Sequence, residues 1–340
     1  SSPDSPAEAG PSALSPAPTV TEEGVPSEVA PTNPSTPDAS PRRQLPAKVL
    51  AISVDGLSAA AIKEEGPAKL PTLHRLLEEG AATLNARSAA ERSVTLPNHV
   101  GMVTGRRIDA AHGGHGVTWN SDRAHDTVQR AAGSEVASIF TVAHARGVHT
   151  ALFAGKSKFD IFEDSWGAAI DEVVIDGDET TLVAAAKADL AQRGPRLLFL
   201  HLDPPDAAGH ASGGMGPAYL AAVRKVDGLV GDILAMIDED PDLAASVRVV
   251  LTADHGFVAG GRLHDAVDSQ NYTVPFVVWG AGVTPGDLYG RNPGLEDPGT
   301  ARPGYDGPQP IRNLDVADAV LGSLGLPLLS RPGDPPPLSW

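Results

Sequence analysis

Five short runs rich in valine, isoleucine and leucine constrain the fold of this chain more than any other feature. They lie at Lys48–Val54, Val148–Phe153, Arg196–Leu202, Val247–Leu251 and Val274–Trp279. Continuous apolar runs of this length are typical of strands buried on both faces of a parallel sheet. Helix-like segments lie between and after them, at Pro71–Glu79, Glu135–Arg146, Thr180–Gln192, Ala218–Ile237 and Leu314–Leu324. This alternation predicts an α/β fold, a three-layer α/β/α sandwich around a mostly parallel sheet.

Residues 1–46 have a different composition. They contain 11 of the 31 prolines, consist mostly of Pro, Ser, Ala, Thr and Glu, and lack aromatic residues. Such a segment buries too little apolar surface to offset the entropy of ordering, so we predict a disordered leader, followed by a single domain over residues 47–340. Leaders of this type often hold exported enzymes away from a cell surface, which favours an extracellular, cell-surface or periplasmic location. A segment added for protein expression is the alternative.

Charge and cysteine content exclude several classes of partner and site. The 26 Lys and Arg residues against 43 Asp and Glu residues give a net charge of −17. This balance argues against nucleic acid or an anionic membrane as the main partner. No apolar run approaches the roughly 18 residues of a spanning helix, so we expect no transmembrane segment. The chain has no cysteine, and any metal must therefore be held by His, Asp or Glu.

Four polar clusters follow predicted strands or lie in an adjoining loop: Asp55-Gly56, Asp206 to His210, Asp254-His255 and His264-Asp265. Each one alone could be a turn or a helix cap. Because ligands gather at the carboxyl ends of strands in such sheets, we expect Asp55, Asp206 and Asp254 to converge there with the three histidines, His210, His255 and His264. Imidazole and carboxylate ligands without sulfur favour zinc, with iron and manganese still possible. Six ligands suit two ions rather than one tetrahedral ion.

The segment from Ser93 to Gly105 begins with an extended pattern and then becomes helical. Pro97 favours a first helical turn, which places Thr95 at or just before a helix N-terminus. Free backbone N–H groups and the helix dipole favour an anion at such a position. Thr95 is therefore a candidate nucleophile, activated by a divalent cation. The alternative is that Thr95 only caps the helix.

Five motifs occur in an order that resembles the alkaline phosphatase superfamily, and the nucleotide pyrophosphatase/phosphodiesterase branch with its threonine nucleophile most of all. They are Asp55-Gly56, Thr95-Leu96-Pro97-Asn98-His99, Asp206-x-x-Gly209-His210, Asp254-His255-Gly256 and a final His264. The resemblance covers about Val49 to Gly280. It implies an alkaline-phosphatase-like domain that hydrolyses phosphate esters.

The resemblance also implies a role for each of these residues. One zinc ion would be held by Asp206, His210 and His264. The other would be held by Asp55, Asp254 and His255 and would contact Thr95. Thr95 would attack phosphorus to form a phospho-threonine, which water then hydrolyses.

Two further segments bear on the substrate. His115 to Asn120 resembles the family stretch that supplies a phosphate-binding asparagine, which makes Asn120 a donor to a non-bridging oxygen; a polar loop residue is the alternative. Lys156 and Lys158 are similar to a cationic pair in threonine-type phosphomonoesterases and phosphonoacetate hydrolases of the superfamily, a pair that diesterases typically lack. A dianionic monoester gains more from added cations than a diester does. A solvated lysine pair is the alternative.

Only nine positions separate His255 from His264, where relatives usually carry a long insertion that covers the site. We therefore expect an open pocket. Asp203 and Asp265 adjoin proposed ligands, and we expect them to support the ligands rather than to bind metal. The sequence predicts a two-zinc hydrolase of small-molecule phosphate esters that prefers monoesters. Phosphodiesterase or nucleotide pyrophosphatase, phosphonate hydrolase and a non-catalytic surface binding module are the alternatives.

Overall fold

Eight strands form one mixed sheet in a computed structural model that describes residues 46–265 and 267–340. The strands are β1 (Lys48–Val54), β2 (Ala81–Arg87), β3 (His149–Ala154), β4 (Glu172–Ile175), β5 (Arg196–Leu202), β6 (Val247–Thr252), β7 (Thr273–Gly280) and β8 (Gly286–Asp287). Their order across the sheet is β4-β3-β5-β1-β6-β7-β2-β8. Every residue of β1, β5 and β6 is buried, which explains why these strands are apolar without alternation.

All five predicted strands are present, and the bounds of β1 and β5 agree with the prediction. Strands β2, β4 and β8 were not predicted. The β2 sequence, AATLNAR, combines alanine with asparagine and has little intrinsic strand preference. It becomes a strand because β7 and β8 pair with it on its two sides.

Strand β7 departs from the expected parallel arrangement, because it runs antiparallel to both β6 and β2. All other neighbouring strands in the sheet are parallel, so the sheet is mostly parallel as predicted. The reversal has a direct consequence for the loop between β6 and β7. Because no crossover is needed, this loop stays at the carboxyl end of β6.

The described part of the chain contains thirteen α-helices. They are α1 (Ala59–Lys69), α2 (Pro71–Glu79), α3 (Thr95–Thr104), α4 (Val128–Ala132), α5 (Ile139–His144), α6 (Asp160–Trp166), α7 (Glu179–Leu190), α8 (Pro204–Ser212), α9 (Pro217–Glu239), α10 (Pro241–Ser246), α11 (Ser269–Tyr272), α12 (Leu288–Arg291) and α13 (Val316–Ser323). Helices α3, α5 and α13 contact one another on one side of the sheet, whereas α1, α2, α7 and α9 form a connected layer on the other. This arrangement confirms the predicted three-layer α/β fold.

The long helix α9 shows how sequence period builds one of these layers. Its buried residues recur at intervals of three or four positions, at Tyr219, Val223, Val226, Val230, Ile233 and Ile237. On the same face, Asp227 accepts hydrogen bonds from the backbone N–H groups of Leu73 (2.7 Å) and Thr72 (3.2 Å). A side chain of α9 therefore satisfies the free N-terminal donors of α2.

The predicted helix over Glu135–Arg146 is shorter than expected, because α5 begins only at Ile139. Ser138 and Thr141 form a capping box: the Ser138 hydroxyl accepts from Thr141 N (3.3 Å), and the Thr141 hydroxyl accepts from Ser138 N (2.8 Å). This reciprocal pair ends the extended segment and starts the helix at a defined residue.

Pro46 is the only residue of the predicted leader 1–46 that belongs to the described residues. The leader and its boundary with the domain at residue 47 therefore stay predictions. Among the helices of residues 46–265 and 267–340, none has both the length and the apolar character needed to cross a bilayer.

Candidate metal and nucleophile site

Buried aspartates follow the three central strands. Asp55 directly follows β1, Asp254 lies two residues beyond β6, and Asp206 lies in the first turn of α8, which begins shortly after β5. Asp55 and Asp254 are 0% exposed and Asp206 is 3% exposed. His255 follows Asp254 and is also buried, and His264 lies in the β6–β7 loop at 4% exposure. The structure therefore places these ligand-type side chains at one edge of the sheet, as predicted.

The first ligand group consists of Asp55, Asp254 and His255. His255 Nε2 lies 3.2 Å from Asp55 Oδ1 and 3.4 Å from Asp254 Oδ2. Each residue of this group offers one ligand atom within 4.8 Å of the other two. The family resemblance implies that these three residues share one ion, which stays a prediction.

We call Asp206, His210 and His264 the second ligand group, after the set that the resemblance implies for the other ion. Ligand atoms of Asp206 and His264 also lie within 4.8 Å of a ligand atom of His255. His210 Nε2 lies 3.2 Å from Asp206 Oδ1 and 3.2 Å from His264 Nε2, and His264 Nε2 lies 3.6 Å from Asp206 Oδ1. The two groups are neighbours, because His255 Nε2 lies 3.3 Å from Asp206 Oδ1 and the rings of His255 and His264 are stacked.

All three histidines present the same nitrogen to the cluster. Each Nδ1–H donates to a backbone carbonyl: His210 to Arg262 (2.7 Å), His255 to Gly256 (2.9 Å) and His264 to Ser93 (2.6 Å). These bonds set the tautomer and leave each Nε2 lone pair free to bind a metal. Backbone carbonyls thus orient all three imidazoles.

Four buried atoms of the cluster have no hydrogen-bond partner among the residues that the structure describes: Asp55 Oδ1, Asp206 Oδ1, Asp254 Oδ2 and His255 Nε2. Unpaired buried polar atoms are costly and rare. These atoms also face one another, within the first group at His255–Asp55 and His255–Asp254 and across the two groups at His255–Asp206. Nitrogen and oxygen donors without sulfur therefore fit two divalent transition-metal ions at this position.

The pKa values of Asp254 and Asp55 are shifted in opposite directions. Burial raises the pKa of Asp254 well above its usual value, and the nearby Asp55 charge raises it further. Burial also opposes ionisation of Asp55, but the Lys156 ammonium holds the pKa of Asp55 well below its usual value. Crowded carboxylates of this kind are stabilised by cations.

Lys156 contacts the ligand carboxylates themselves. Its Nζ lies 2.8 Å from Asp55 Oδ2, 2.5 Å from Asp206 Oδ2 and 3.1 Å from Asp203 Oδ1. Asp203 contacts the site through Lys156. It also offers a ligand atom within 4.8 Å of ligand atoms of Asp55 and Asp206, so its supporting role stays a prediction.

Thr95 is the first residue of α3, and Val94 is the N-cap. The alternative interpretation of Thr95 as a cap is therefore not what the structure shows. Thr95 is 1% exposed, and neither its hydroxyl nor its N–H forms a hydrogen bond with any residue that the structure describes. His99 Nδ1 donates to the Thr95 carbonyl (2.7 Å) and lies 3.6 Å from Asp254 Oδ2, which places Thr95 beside the first ligand group.

Asn120 and Lys158 lie beside the first turn of α3. Asn120 Oδ1 accepts from the N–H of Leu96 at 2.9 Å, and Lys158 Nζ donates to the Asn120 carbonyl oxygen at 2.6 Å. The Asn120 Nδ2 group has no hydrogen-bond partner in the described part of the chain. The neighbouring Trp119 packs against the core, with Arg123 over its ring.

Arg92 connects the three segments around the site. It donates to Asp265 Oδ2 from Nε (3.0 Å) and Nη2 (2.7 Å), and to the Thr118 carbonyl from Nη1 (2.5 Å). The Ser93 hydroxyl also donates to the His264 carbonyl. Asp265 therefore holds the His264 loop in place through Arg92, the supporting role predicted for it.

Sequence reasoning missed the residues that hold this site in place. His201 Nε2 donates to Asp55 Oδ2 (2.7 Å), a role signalled only by a histidine within the apolar run that follows Arg196 in β5. Asn98 accepts from Ala89 N (2.8 Å) and from Asn313 Nδ2 (3.0 Å), which links the segment before Thr95 to the C-terminal part of the chain. No local pattern in the sequence signals that contact.

Comparisons with known proteins agree with this geometry. Residues 49–276 match the profile of the family described as type I phosphodiesterase / nucleotide pyrophosphatase. Over 268 residues the chain is 25% identical to GPI ethanolamine phosphate transferase 1 of Gibberella zeae, covering 74% of this chain and 26% of that protein. Over 227 residues it is 25% identical to human ectonucleotide pyrophosphatase/phosphodiesterase family member 1, covering 62% of this chain and 24% of that protein. The chain thus spans about a quarter of the length of these two relatives.

Among solved structures, murine ectonucleotide pyrophosphatase/phosphodiesterase 5 in complex with AMP matches with a TM-score of 0.62 and 15% identity, covering 86% of this chain and all of that one. This similarity confirms the predicted alkaline-phosphatase-like fold. The family match includes both ligand groups and Thr95. The chain therefore belongs to the type I phosphodiesterase / nucleotide pyrophosphatase family.

Proposed function

We propose that this protein hydrolyses small-molecule phosphate esters at a site for two zinc ions, with Thr95 as the nucleophile. The observation that carries the proposal is the set of four buried candidate ligand atoms, without a partner among the described residues, beside the three oriented imidazoles. The names of the relatives, phosphodiesterase and ethanolamine phosphate transferase, also describe chemistry at a phosphate ester. Iron or manganese could occupy the same donor set.

The residues of the chain have defined tasks in this reaction. Two divalent cations held by the two groups would lower the pKa of the threonine hydroxyl and stabilise the attacking and leaving oxygens. The Thr95 hydroxyl loses its proton to solvent and Oγ1 forms a bond to phosphorus while the bond to the ester oxygen breaks. The ester oxygen takes a proton from solvent and departs as the alcohol, which leaves a phospho-threonine. Water then attacks phosphorus, the bond between phosphorus and Oγ1 breaks, the phosphate leaves, and a proton from the water returns to Oγ1. The Thr95 N–H and Asn120 Nδ2, both without a described partner, are available to donate to non-bridging oxygens.

We propose a preference for monoesters because of the cationic side chain of Lys158, which follows β3. Lys158 lies next to Asn120, where the extra negative charge of a monoester would be located. Phosphodiester or nucleotide pyrophosphate hydrolysis is the second candidate, and the family match and the ectonucleotide relative favour it.

We also propose that the protein works outside the cytoplasm, at the cell surface, in the periplasm or in the medium. The Pro-, Ser- and Ala-rich composition of residues 1–46 supports this location. Cell fractionation of the natural source, followed by detection with an antibody, tests it. Recovery with cytoplasmic markers alone would contradict it.

Metal analysis and intermediate trapping test the proposed activity. The purified protein should contain about two zinc ions per chain and should cleave an aryl phosphomonoester faster than the matched diester. Thr95→Ala should lower kcat by at least about a thousandfold, because the covalent route is lost. Rapid acid quenching followed by mass spectrometry should locate a phosphate on Thr95.

The exposed Thr300 provides the matched control, and Thr300→Ala should keep full turnover. A Thr95→Ala variant with normal turnover would contradict the assignment of the nucleophile. Metal-loaded protein that cleaves no phosphoester would favour a binding module instead.

A further inference from the structure

Lys156 and Lys158 are two positions apart, yet their side chains face different groups. Lys156 Nζ is directed at three carboxylates, and Lys158 Nζ is directed at the carbonyl of Asn120. The pair lies just after β3, and Ser157–Phe159 forms a short 3-10 helix. This short segment therefore places the Lys156 ammonium among the carboxylates of the two ligand groups. It places the Lys158 ammonium beside the first turn of α3.

Lys156 is held between the two ligand groups. It pairs with Oδ2 of Asp55, which belongs to the first group, and with Oδ2 of Asp206, which belongs to the second. Asp203 completes the contact from a third side, and the Lys156 side chain is only 17% exposed. Its positive charge is thus surrounded by carboxylates and is poorly available to a substrate.

This contact has a geometric consequence for the ligands. Because Lys156 occupies Oδ2 of both aspartates, their Oδ1 atoms are the ones left without a partner and turned toward the imidazoles. A single ammonium thus orients one carboxylate of each group. Partners of metal-bound carboxylates commonly have this effect.

Lys158 has the opposite electrostatic situation. It donates to the Asn120 carbonyl oxygen and lies 3.5 Å from Asn120 Oδ1, but it pairs with no carboxylate among residues 46–265 and 267–340. Asn120 in turn accepts from the N–H of Leu96, the residue after Thr95. An uncompensated ammonium therefore lies close to the position proposed for the substrate phosphate.

We infer that the two lysines divide the work: Lys156 is a positioning residue that orients Asp55 and Asp206 for metal binding, and Lys158 alone favours monoesters over diesters. This inference rests on the proposed function for the substrate, and on the ligand geometry for the metal. It replaces the prediction that both lysines act as one phosphate-binding pair.

Single substitutions separate the two roles, with Lys156→Met and Lys158→Met removing each charge at similar length. The readouts are zinc affinity, by competition with a chromophoric chelator, and kcat/KM for a matched aryl monoester and diester. Lys156→Met should weaken zinc binding about tenfold or more. It should also lower kcat/KM for the monoester and for the diester by a similar factor. Lys158→Met should lower monoester kcat/KM more than about tenfold, with diester kcat/KM and zinc affinity within about twofold of wild type. Lys158→Arg should recover most of the monoester preference.

Lys63 is exposed, and Lys63→Met controls for the loss of one positive charge. The inference is overturned if Lys156→Met leaves zinc affinity unchanged, or if the two single variants shift the monoester-to-diester ratio equally. The inference also fails if Lys158→Met lowers kcat/KM for the monoester and for the diester by the same factor. If the wild-type protein binds zinc but cleaves neither ester, the proposed function fails, while the zinc measurement still decides the role of Lys156.

Discussion

At the scale of single residues, backbone carbonyl oxygens fix the orientation of the histidines in this site. The carbonyls of Arg262, Gly256 and Ser93 orient the three ligand histidines. Side-chain substitution cannot remove these acceptors, so the imidazole orientations depend on the path of the chain. By contrast, Asp55 depends on the side chains of His201 and Lys156. We therefore expect the carboxylate ligands to respond more strongly than the imidazoles to substitutions of neighbouring residues.

His115 leads to a prediction of pH-dependent stability. It is fully buried, and its Nδ1 accepts from the N–H of Val117 at 3.1 Å. Burial lowers the pKa of His115 from 6.5 to about 4. Because the folded-state pKa is lower than the unfolded one, this stability is fully present above pH 6.5 and is lost as the pH falls toward 4. At about 1.4 kcal/mol per pKa unit, the loss is on the order of 3 kcal/mol.

His115→Asn should reduce this dependence, because the Asn Oδ1 can accept from Val117 without titrating. Denaturant unfolding at several pH values between 7 and 4 measures it. The variant should show a shallower fall in unfolding free energy than wild type. The exposed His125 serves as the control, since His125→Asn should keep the wild-type slope. Equal slopes for all three proteins would show that His115 does not contribute.

At the scale of elements, the direction of β7 and the placement of α8 decide whether the ligands meet. The antiparallel β7 keeps the His264 loop at the edge where β1 and β5 end. Helix α8 carries Asp206 and His210 one turn apart, so both reach the second ligand group. The sequence predicted strand β7 and singled out Asp206 and His210 as candidate ligands. Apolar composition alone, however, does not distinguish a parallel strand from an antiparallel one.

Gly209 sets how closely α8 approaches the β6–β7 loop. A Cβ atom at this position would lie 2.6 to 2.9 Å from ring atoms of the buried Phe257. Gly209→Ala should therefore displace α8, weaken binding of the proposed metal ions about tenfold and lower stability by about 1–3 kcal/mol. Chelator competition and thermal unfolding measure the two effects.

Adding Phe257→Leu should restore part of the loss, because the smaller side chain makes room for the new methyl group. Ala207 is exposed on the same helix, and Ala207→Ser should change neither quantity. Additive losses in the Gly209→Ala, Phe257→Leu double variant would contradict a direct steric contact.

At the scale of the whole molecule, the two ligand groups connect the central strands. Their members follow β1, β5 and β6 and extend into the loop before β7. Bound metal should therefore stabilise the centre of the sheet. At a free concentration 100-fold above Kd, one site contributes about 2.7 kcal/mol.

Removing both proposed ions, about 5 kcal/mol in total, should consequently lower Tm by roughly 10–20 °C. Calorimetry of metal-loaded protein before and after a strong chelator measures the shift, and added zinc should reverse it. In Asp254→Asn protein, which lacks one charged ligand of the first group, the chelator should have a smaller effect. An unchanged Tm in wild-type protein after complete metal removal would contradict the proposed site.

The sequence by itself determined the fold class and the five principal strands and singled out the candidate ligand side chains, because buried strands and ligand-type residues are local signals of residue type and spacing. The division of these side chains into two groups came from the family resemblance. The tertiary structure alone decided the antiparallel β7, the pairing of β2, the link from Asn98 to Asn313 and the different surroundings of Lys156 and Lys158. Each depends on which distant segments come into contact, and two lysines of the same charge differ only through their neighbours in space. Those contacts follow from packing the whole chain, so no window of the sequence contains them.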